Sequence, residues 1–154
     1  MRHRNVLVIG GAGFVGRYIV NQLVGRGCRV LVPSRRRASA RHLIMLPTCE
    51  VVEASVHDDA TLQRLAAGQD AVINLVGILH GTEAAFERVH VALTRRILAA
   101  CAGAKVHRYL HMSALGADPN GPSMYQRSKG RAEQAVREST LAWTIFQPSV
   151  IFGA

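Results

Sequence analysis

The sequence predicts an α/β fold, a doubly wound, mostly parallel sheet with helices on both faces. Three observations carry that prediction. Short β-branched apolar runs alternate with longer stretches whose apolar residues recur at helical spacing, as repeated βαβ units require. A glycine-rich turn, "GGAGFVG", separates the first such run from the first helical stretch. The 154 residues are 49% apolar and 19% charged, enough for one domain with a real core and too few for two.

Taken in order, "NVLVI" (5–9) reads as a buried strand, uninterrupted by polar residues after Asn5. In "FVGRYIVNQLVGRG" (14–27), Val15, Ile19 and Leu23 share a helical face, and Gly25 or Gly27 can end the helix. "CRVLV" (28–32) and "CEVVEA" (49–54) are the second and third strands. Asp58 or Asp59 can cap a helix around "ATLQRLAAG", and "DAVINLVG" (70–77) is the fourth strand. A single long amphipathic helix is expected over 83–104, then a fifth strand "VHRYLHMSA" (106–114), a helix over 123–139 and a sixth strand "LAWTIFQP" (141–148). Trp143 and Phe146 of that strand are expected in the core. "GADPNGPS" (116–123) carries the strongest turn signal and is the piece expected to be disordered. Right-handed crossovers make such a sheet doubly wound, and its ligand binds beyond the carboxyl ends of the strands.

Charge is unevenly placed. The net +9 arises before Glu50, the first acidic residue, where Arg2, Arg4, Arg17, Arg26, Arg29, Arg35, Arg36, Arg37 and Arg41 stand unopposed. A basic third of this kind suits nucleic acid, one anionic ligand or a solvated face. No aromatic residues interleave with the arginines, which argues against single-strand binding, and no nucleic-acid partner is expected. Cys28, Cys49 and Cys101 are odd in number and widely spaced, so buried free thiols in a reducing cytoplasm are expected. No apolar run reaches the roughly 18 residues of a membrane span. Seven histidines invite a metal reading, but no helical H-x-x-x-H with a carboxylate and no Cys-x-x-Cys is present, so no metal is expected.

The glycines follow a buried strand and open a helix, the context a phosphate-binding turn needs. They read in two registers: Gly11, Gly13 and Gly16 as G-x-G-x-x-G, or Gly10, Gly13 and Gly16 as G-x-x-G-x-x-G. Either way, side-chain-free positions let a pyrophosphate approach the amides that open the helix, at Phe14, Val15 and Gly16. A dinucleotide is implied. An NAD site of the common kind uses a carboxylate at the end of the second strand. Here that place reads "VPSRRR", with no carboxylate nearby, and Ser34 and Arg35 offer donors and charge to a 2′-phosphate. NADP(H) is therefore expected over NAD(H).

At the reacting end, Tyr125 and Lys129 stand one helical turn apart on a common face. A lysine cation beside a phenol favours phenolate and makes the tyrosine a usable acid/base. Ser113, ending the fifth strand, can orient a substrate carbonyl. Of nineteen Lys and Arg residues only Lys105 and Lys129 are lysines, so a lysine four after this tyrosine is conspicuous.

"GGAGFVG", "NLVGILHG", "HMSALGADPNGPSMYQRSKGRAEQAV" and "TIFQPSVIFG" resemble the short-chain dehydrogenase/reductase superfamily, in its extended or atypical branch with a Rossmann fold. Within it they are most similar to the nucleotide-binding accessory subunit of respiratory complex I and its bacterial NAD-dependent epimerase/dehydratase-like relatives. The resemblance selects Gly10, Gly13 and Gly16 and leaves Gly11 as a convenience of the turn. It implies Ser113, Tyr125 and Lys129 as the catalytic set, Val76, Gly77 and Ile78 as a cofactor wall, and Pro148, Ser149 and Val150 as a nicotinamide-facing turn. Where extended members often have Asp after the third strand for the adenine, this chain has Ser55, with Asp58 close but displaced; where many have Asn in the fourth helix, it has His90. The resemblance implies hydride transfer on an unknown carbonyl or alcohol. Its complex I side implies instead a non-catalytic NADP(H)-binding subunit, held by a respiratory-complex or membrane-associated partner and so peripheral to the inner membrane. Full members continue with a substrate lobe, so residues 1–154 are expected to be an incomplete NAD(P)-binding domain.

Overall fold

The computed structural model describes residues 3–153. Six strands form one parallel sheet: β1 (Asn5–Ile9), β2 (Arg29–Ser34), β3 (Cys49–Glu53), β4 (Ala71–Asn74), β5 (Arg108–Met112) and β6 (Ala142–Phe146), in the order β3-β2-β1-β4-β5-β6. The order reverses between β1 and β4. This is the crevice where a doubly wound sheet takes a ligand, and the glycine turn opens onto it.

Alternation along the strands builds two cores. Val6 and Val8 of β1 join Val30, Val32, Ala71 and Ile73 against Val20 of α1 (Phe14–Gly25) and Leu43 of α2 (Arg41–Ile44). Leu7 and Ile9 join Val72 and Tyr109 on the other face. There they pack on Leu62 and Leu65 of α3 (Asp59–Ala66), Leu93 and Ile97 of α5 (Leu93–Gly103) and Val136 of α6 (Met124–Glu138). With period-two side chains, a buried strand must feed both layers.

Five expectations change. The β2–β3 crossover, where regular alternation predicts a helix, is a 3-10 turn over Arg37–Ala40 leading into the one-turn α2. The single helix over 83–104 divides into α4 (Glu83–Phe86), a π-helical segment Glu87–Ala92 and α5. The wider π turn points three successive residues inward, Val89, His90 and Val91, all buried. The loop over 116–123 is not loose: Asp118 bonds through its amide to the Gln126 carbonyl and through its own carbonyl to the Gly121 amide. A Cβ at Gly130 would collide with the Asp118 carbonyl carbon and the Pro119 nitrogen, so the loop lies directly on α6 where that helix has no side chain. Trp143 and Phe146 are 38% and 47% exposed, because β6 is an edge strand of the sheet. Of the cysteines only Cys101 is buried; Cys28 and Cys49 are half-buried.

Arg2 lies outside the described residues, and the early arginines after it do not all gather on one face. Arg4, Arg26 and Arg29 line a cavity at the amino edge of the sheet, whereas Arg35 to Arg37 follow β2 at the carboxyl edge. No helix among the described residues is long and apolar enough to cross a membrane.

Candidate functional site

The site is assembled at the carboxyl edge. Gly10 follows β1, Ser34 ends β2, Val76 follows β4, Ser113 follows β5 and Pro148 follows β6, while α6 brings Tyr125 and Lys129 back over that edge. Val15, Gly77, Ile78, Ser113, Tyr125, Lys129, Pro148 and Val150 all line one cavity of about 590 Å³.

The glycine turn is tight for stated reasons. Gly10 has φ +83°, and a Cβ there would lie 3.2 Å from the Leu75 backbone on β4's exit. The Gly13 amide donates to the Gly10 carbonyl at 3.1 Å. At Gly16 a Cβ would overlap the Gly10 carbonyl oxygen and stand 2.6 Å from the Gly11 backbone. Gly11 is more than a convenience of the turn: its Cβ would press on both Val32 methyls at 3.0 Å, so it lets β2 pack under the loop. No side chain caps α1 and no acidic residue lies in its first turn. By contrast Asp58 caps α3, Thr82 caps α4 and Ser123 caps α6. An uncapped helix start leaves amides and the positive dipole end for an anion.

The wall after β4 is held from behind. Asn74 Oδ1 accepts from the Val76 amide at 3.1 Å, and His90 Nε2 accepts from the Ile78 amide at 3.0 Å. Burial, and then the nearby Lys129 charge, push the His90 imidazole down to about 4. Asn74 also donates to the Tyr109 hydroxyl at 3.2 Å, and that hydroxyl meets His111 Nδ1 at 3.0 Å. Burial pushes His111 down to about 3, and its Nε2 is buried without a hydrogen-bond partner.

At the reacting end Ser113 is buried and its Oγ has no hydrogen-bond partner. The Lys129 ammonium donates to the Met112 carbonyl at 3.0 Å. Burial brings it down to about 8, with Glu133 one turn on opposing that shift. Tyr125 packs edge-on against His90 and Phe86, with ring centroids 5.6 and 6.4 Å apart. Its phenol is raised by burial, not lowered as the sequence suggested. In the protein alone Tyr125 is therefore a protonated acid at neutral pH.

The far end departs further from expectation. Ser34 Oγ donates to the Arg36 carbonyl at 2.9 Å, and Arg35 is exposed. A carboxylate does stand nearby: parallel register places Glu53 opposite Ser34, where its Oε2 accepts from the Arg37 amide at 3.3 Å. Asp58 serves the cap: its Oδ2 accepts from both the amide and the hydroxyl of Thr61, at 2.8 and 2.6 Å. Among the described residues no group of three or more His, Cys, Asp or Glu could hold a metal. Sequence reasoning missed Asn74, Glu53 and the structural part of His90. For His90 the available signal was an imidazole on the apolar face of an amphipathic helix.

A family model described as NAD(P)H-binding matches residues 10–152. The 40 kDa subunit of mitochondrial NADH-ubiquinone oxidoreductase from Neurospora crassa is 35% identical over 150 residues, which is 95% of this chain and 40% of that protein. A ceramide reductase of Caulobacter vibrioides is 32% identical over 149 residues, 96% of this chain and 46% of that one. The chain thus spans less than half the length of either relative. The structure of UDP-glucuronic acid 4-epimerase from Bacillus cereus in complex with NAD superposes with TM-score 0.84 at 17% identity, over 97% of this chain and 58% of that one.

Proposed function

The chain belongs to the NAD(P)H-binding family, and from that premise we propose that it is the nucleotide-binding part of an oxidoreductase of the short-chain dehydrogenase type, acting on a carbonyl or the matching alcohol. Gly10, Gly13 and Gly16 with the amides of Phe14 and Val15 hold the pyrophosphate. Ser34 and Arg35 meet the 2′-phosphate of NADP(H), with NAD(H) the alternative cofactor. Val76, Gly77 and Ile78 form one wall of the nicotinamide site, and Pro148 and Val150 the other. The residues fit such a group: side chains at Gly10 and Gly16 would close the cradle, and the helix start above it is uncapped.

The bound nicotinamide supplies or takes the hydride. Ser113 orients the substrate oxygen, and Tyr125 gives it a proton during reduction. Lys129 stands in the same cavity, where its charge favours the phenolate left behind. The observation that carries this reading is the buried, unpartnered Ser113 hydroxyl sharing one cavity with a protonated tyrosine and a buried lysine. Its test is Tyr125→Phe in the full-length protein against a panel of aldehydes and ketones. Reduction is expected to fall by about 100-fold or more. Undiminished reduction sinks the reading.

The likeness to the Neurospora crassa subunit favours a second reading, a non-catalytic NADP(H)-binding subunit. Bound nucleotide would stabilise a surface that docks on a respiratory-complex partner at the inner membrane, where the enzyme reading places a cytoplasmic protein. Nucleotide retained through purification, identified by mass spectrometry, with no turnover of any substrate, selects this reading over the first.

A further inference from the structure

We propose that His90 is a positioning residue for this reaction: its neutral imidazole ties the cofactor wall at Ile78 to the catalytic helix at Ser128, and so sets where Tyr125 and Lys129 stand relative to the bound nicotinamide. The role in turnover rests on the oxidoreductase reading above; the geometry of the tie does not.

Hydrogen-bond direction fixes the chain of contacts from end to end. The Ile78 amide can only donate, so His90 Nε2 must accept at 3.0 Å and carries no proton. The ring proton of the neutral imidazole is then on Nδ1, which meets Ser128 Oγ at 2.8 Å. Ser128 Oγ in turn donates to the Tyr125 carbonyl at 3.0 Å. Each member has one consistent assignment. His90 and Ser128 are both buried, at 2% and 0% exposure, so water does not compete for these bonds and leaving one unmade is costly.

The π-helical segment is what allows it. Its wide turn carries His90 inward, and the Thr94 hydroxyl donates to the His90 carbonyl at 2.7 Å. π turns recur at functional sites for this kind of reason. Gly77 completes the arrangement. A Cβ there would come 3.4 Å from Lys129 Nζ and 3.5 Å from His90 Nε2, so both side chains close on the wall at the same point. A proton on Nε2 would face the Ile78 N–H donor to donor, beside Lys129. The other groups facing this cluster are Tyr125 on α6, two residues beyond the Ser123 cap, and His111 on β5.

The experiment uses the full-length protein with four variants: Ser128→Ala, His90→Gln, the pair together and His90→Phe. A glutamine amide can still accept from Ile78 but does not reach Ser128. Ser128→Ala is expected to lower kcat about 5- to 30-fold with NADPH affinity unchanged. His90→Gln should match it, and the double variant should be no worse than either single change, because both remove one link. His90→Phe removes the Ile78 link as well and is expected to weaken NADPH binding about 10-fold.

If the full-length protein turns over no substrate, or Tyr125→Phe reduces as well as wild type, two readouts still decide the tie itself. One is the NADPH affinity of His90→Phe. The other is a long-range proton–nitrogen NMR correlation, which should show His90 as the Nδ1–H tautomer. An Nε2–H tautomer overturns the proposal. So do kcat and NADPH affinity within about twofold of wild type in every folded variant, or effects of the two single changes that simply add.

Discussion

Gly16→Ala tests the phosphate cradle where its geometry is least forgiving. The added methyl would overlap the Gly10 carbonyl oxygen and lie 2.6 Å from the Gly11 Cα and carbonyl carbon. All three are backbone atoms, so no rotamer change relieves them. Overpacking of this kind costs about 1–3 kcal/mol. Alanine regains up to about 1 kcal/mol over glycine within a helix. The net expectation is a loss of about 1–2 kcal/mol, or about 2–8 °C in Tm for a chain of this size. Gly25→Ala in the same helix is the control, since a Cβ there meets nothing within 4 Å, and it should gain a few tenths of a kcal/mol. Urea unfolding with an unchanged m-value reads the stability of both, and titration calorimetry reads the cofactor. Because the helix must move off the loop that presents the amides, NADPH affinity should fall at least about tenfold in Gly16→Ala and stay at wild type in Gly25→Ala. Wild-type stability and affinity in Gly16→Ala would refute the claim that this glycine is held by the close approach of helix to loop.

Arg35→Ala should remove a preference for NADPH over NADH, while Glu53→Gln, which takes a carboxylate from beside Ser34, should strengthen it; equal affinities for the two cofactors in the unaltered protein would contradict both. Stability should fall on acidification below pH about 6.5, the ordinary imidazole value, towards the folded values of about 4 for His90 and about 3 for His111. The unfolded chain takes up protons there and the folded one does not, so each buried imidazole contributes a slope of at most about 1.4 kcal/mol per pH unit. Stability that stays flat from pH 6.5 to 5 in denaturant titrations would exclude this, and His111→Leu should shallow the slope. The Cys101 thiol, pushed up to about 12 by burial, should resist alkylation in the folded protein while Cys28 reacts, as mass spectrometry of the labelled chain would show.

Much of the fold was legible because its signals are local. The run "NVLVI" is β-branched and apolar, the glycines stand between strand and helix, and Tyr125 and Lys129 share a face by helical period alone. The break in the 83–104 helix was not legible, since a π turn leaves the pattern of apolar residues helical on either side. Nor was the exposure of Trp143 and Phe146, whose strand reads like the buried ones and lies at the edge of the described sheet.

By itself, then, the sequence determined the alternation of elements, the glycine turn and the helical face that Tyr125 and Lys129 share. All of these depend on residues within a turn or two of one another. The tertiary structure decided what lies between distant segments. Parallel register set Glu53 beside Ser34 across 19 residues. Burial, which depends on every neighbour, left Tyr125 protonated and Lys129 bonded to Met112. A hydrogen bond across 38 residues made His90 part of the support of α6. Spacing along a chain fixes which face a side chain takes, but only packing fixes what it meets there and how much water is left around it.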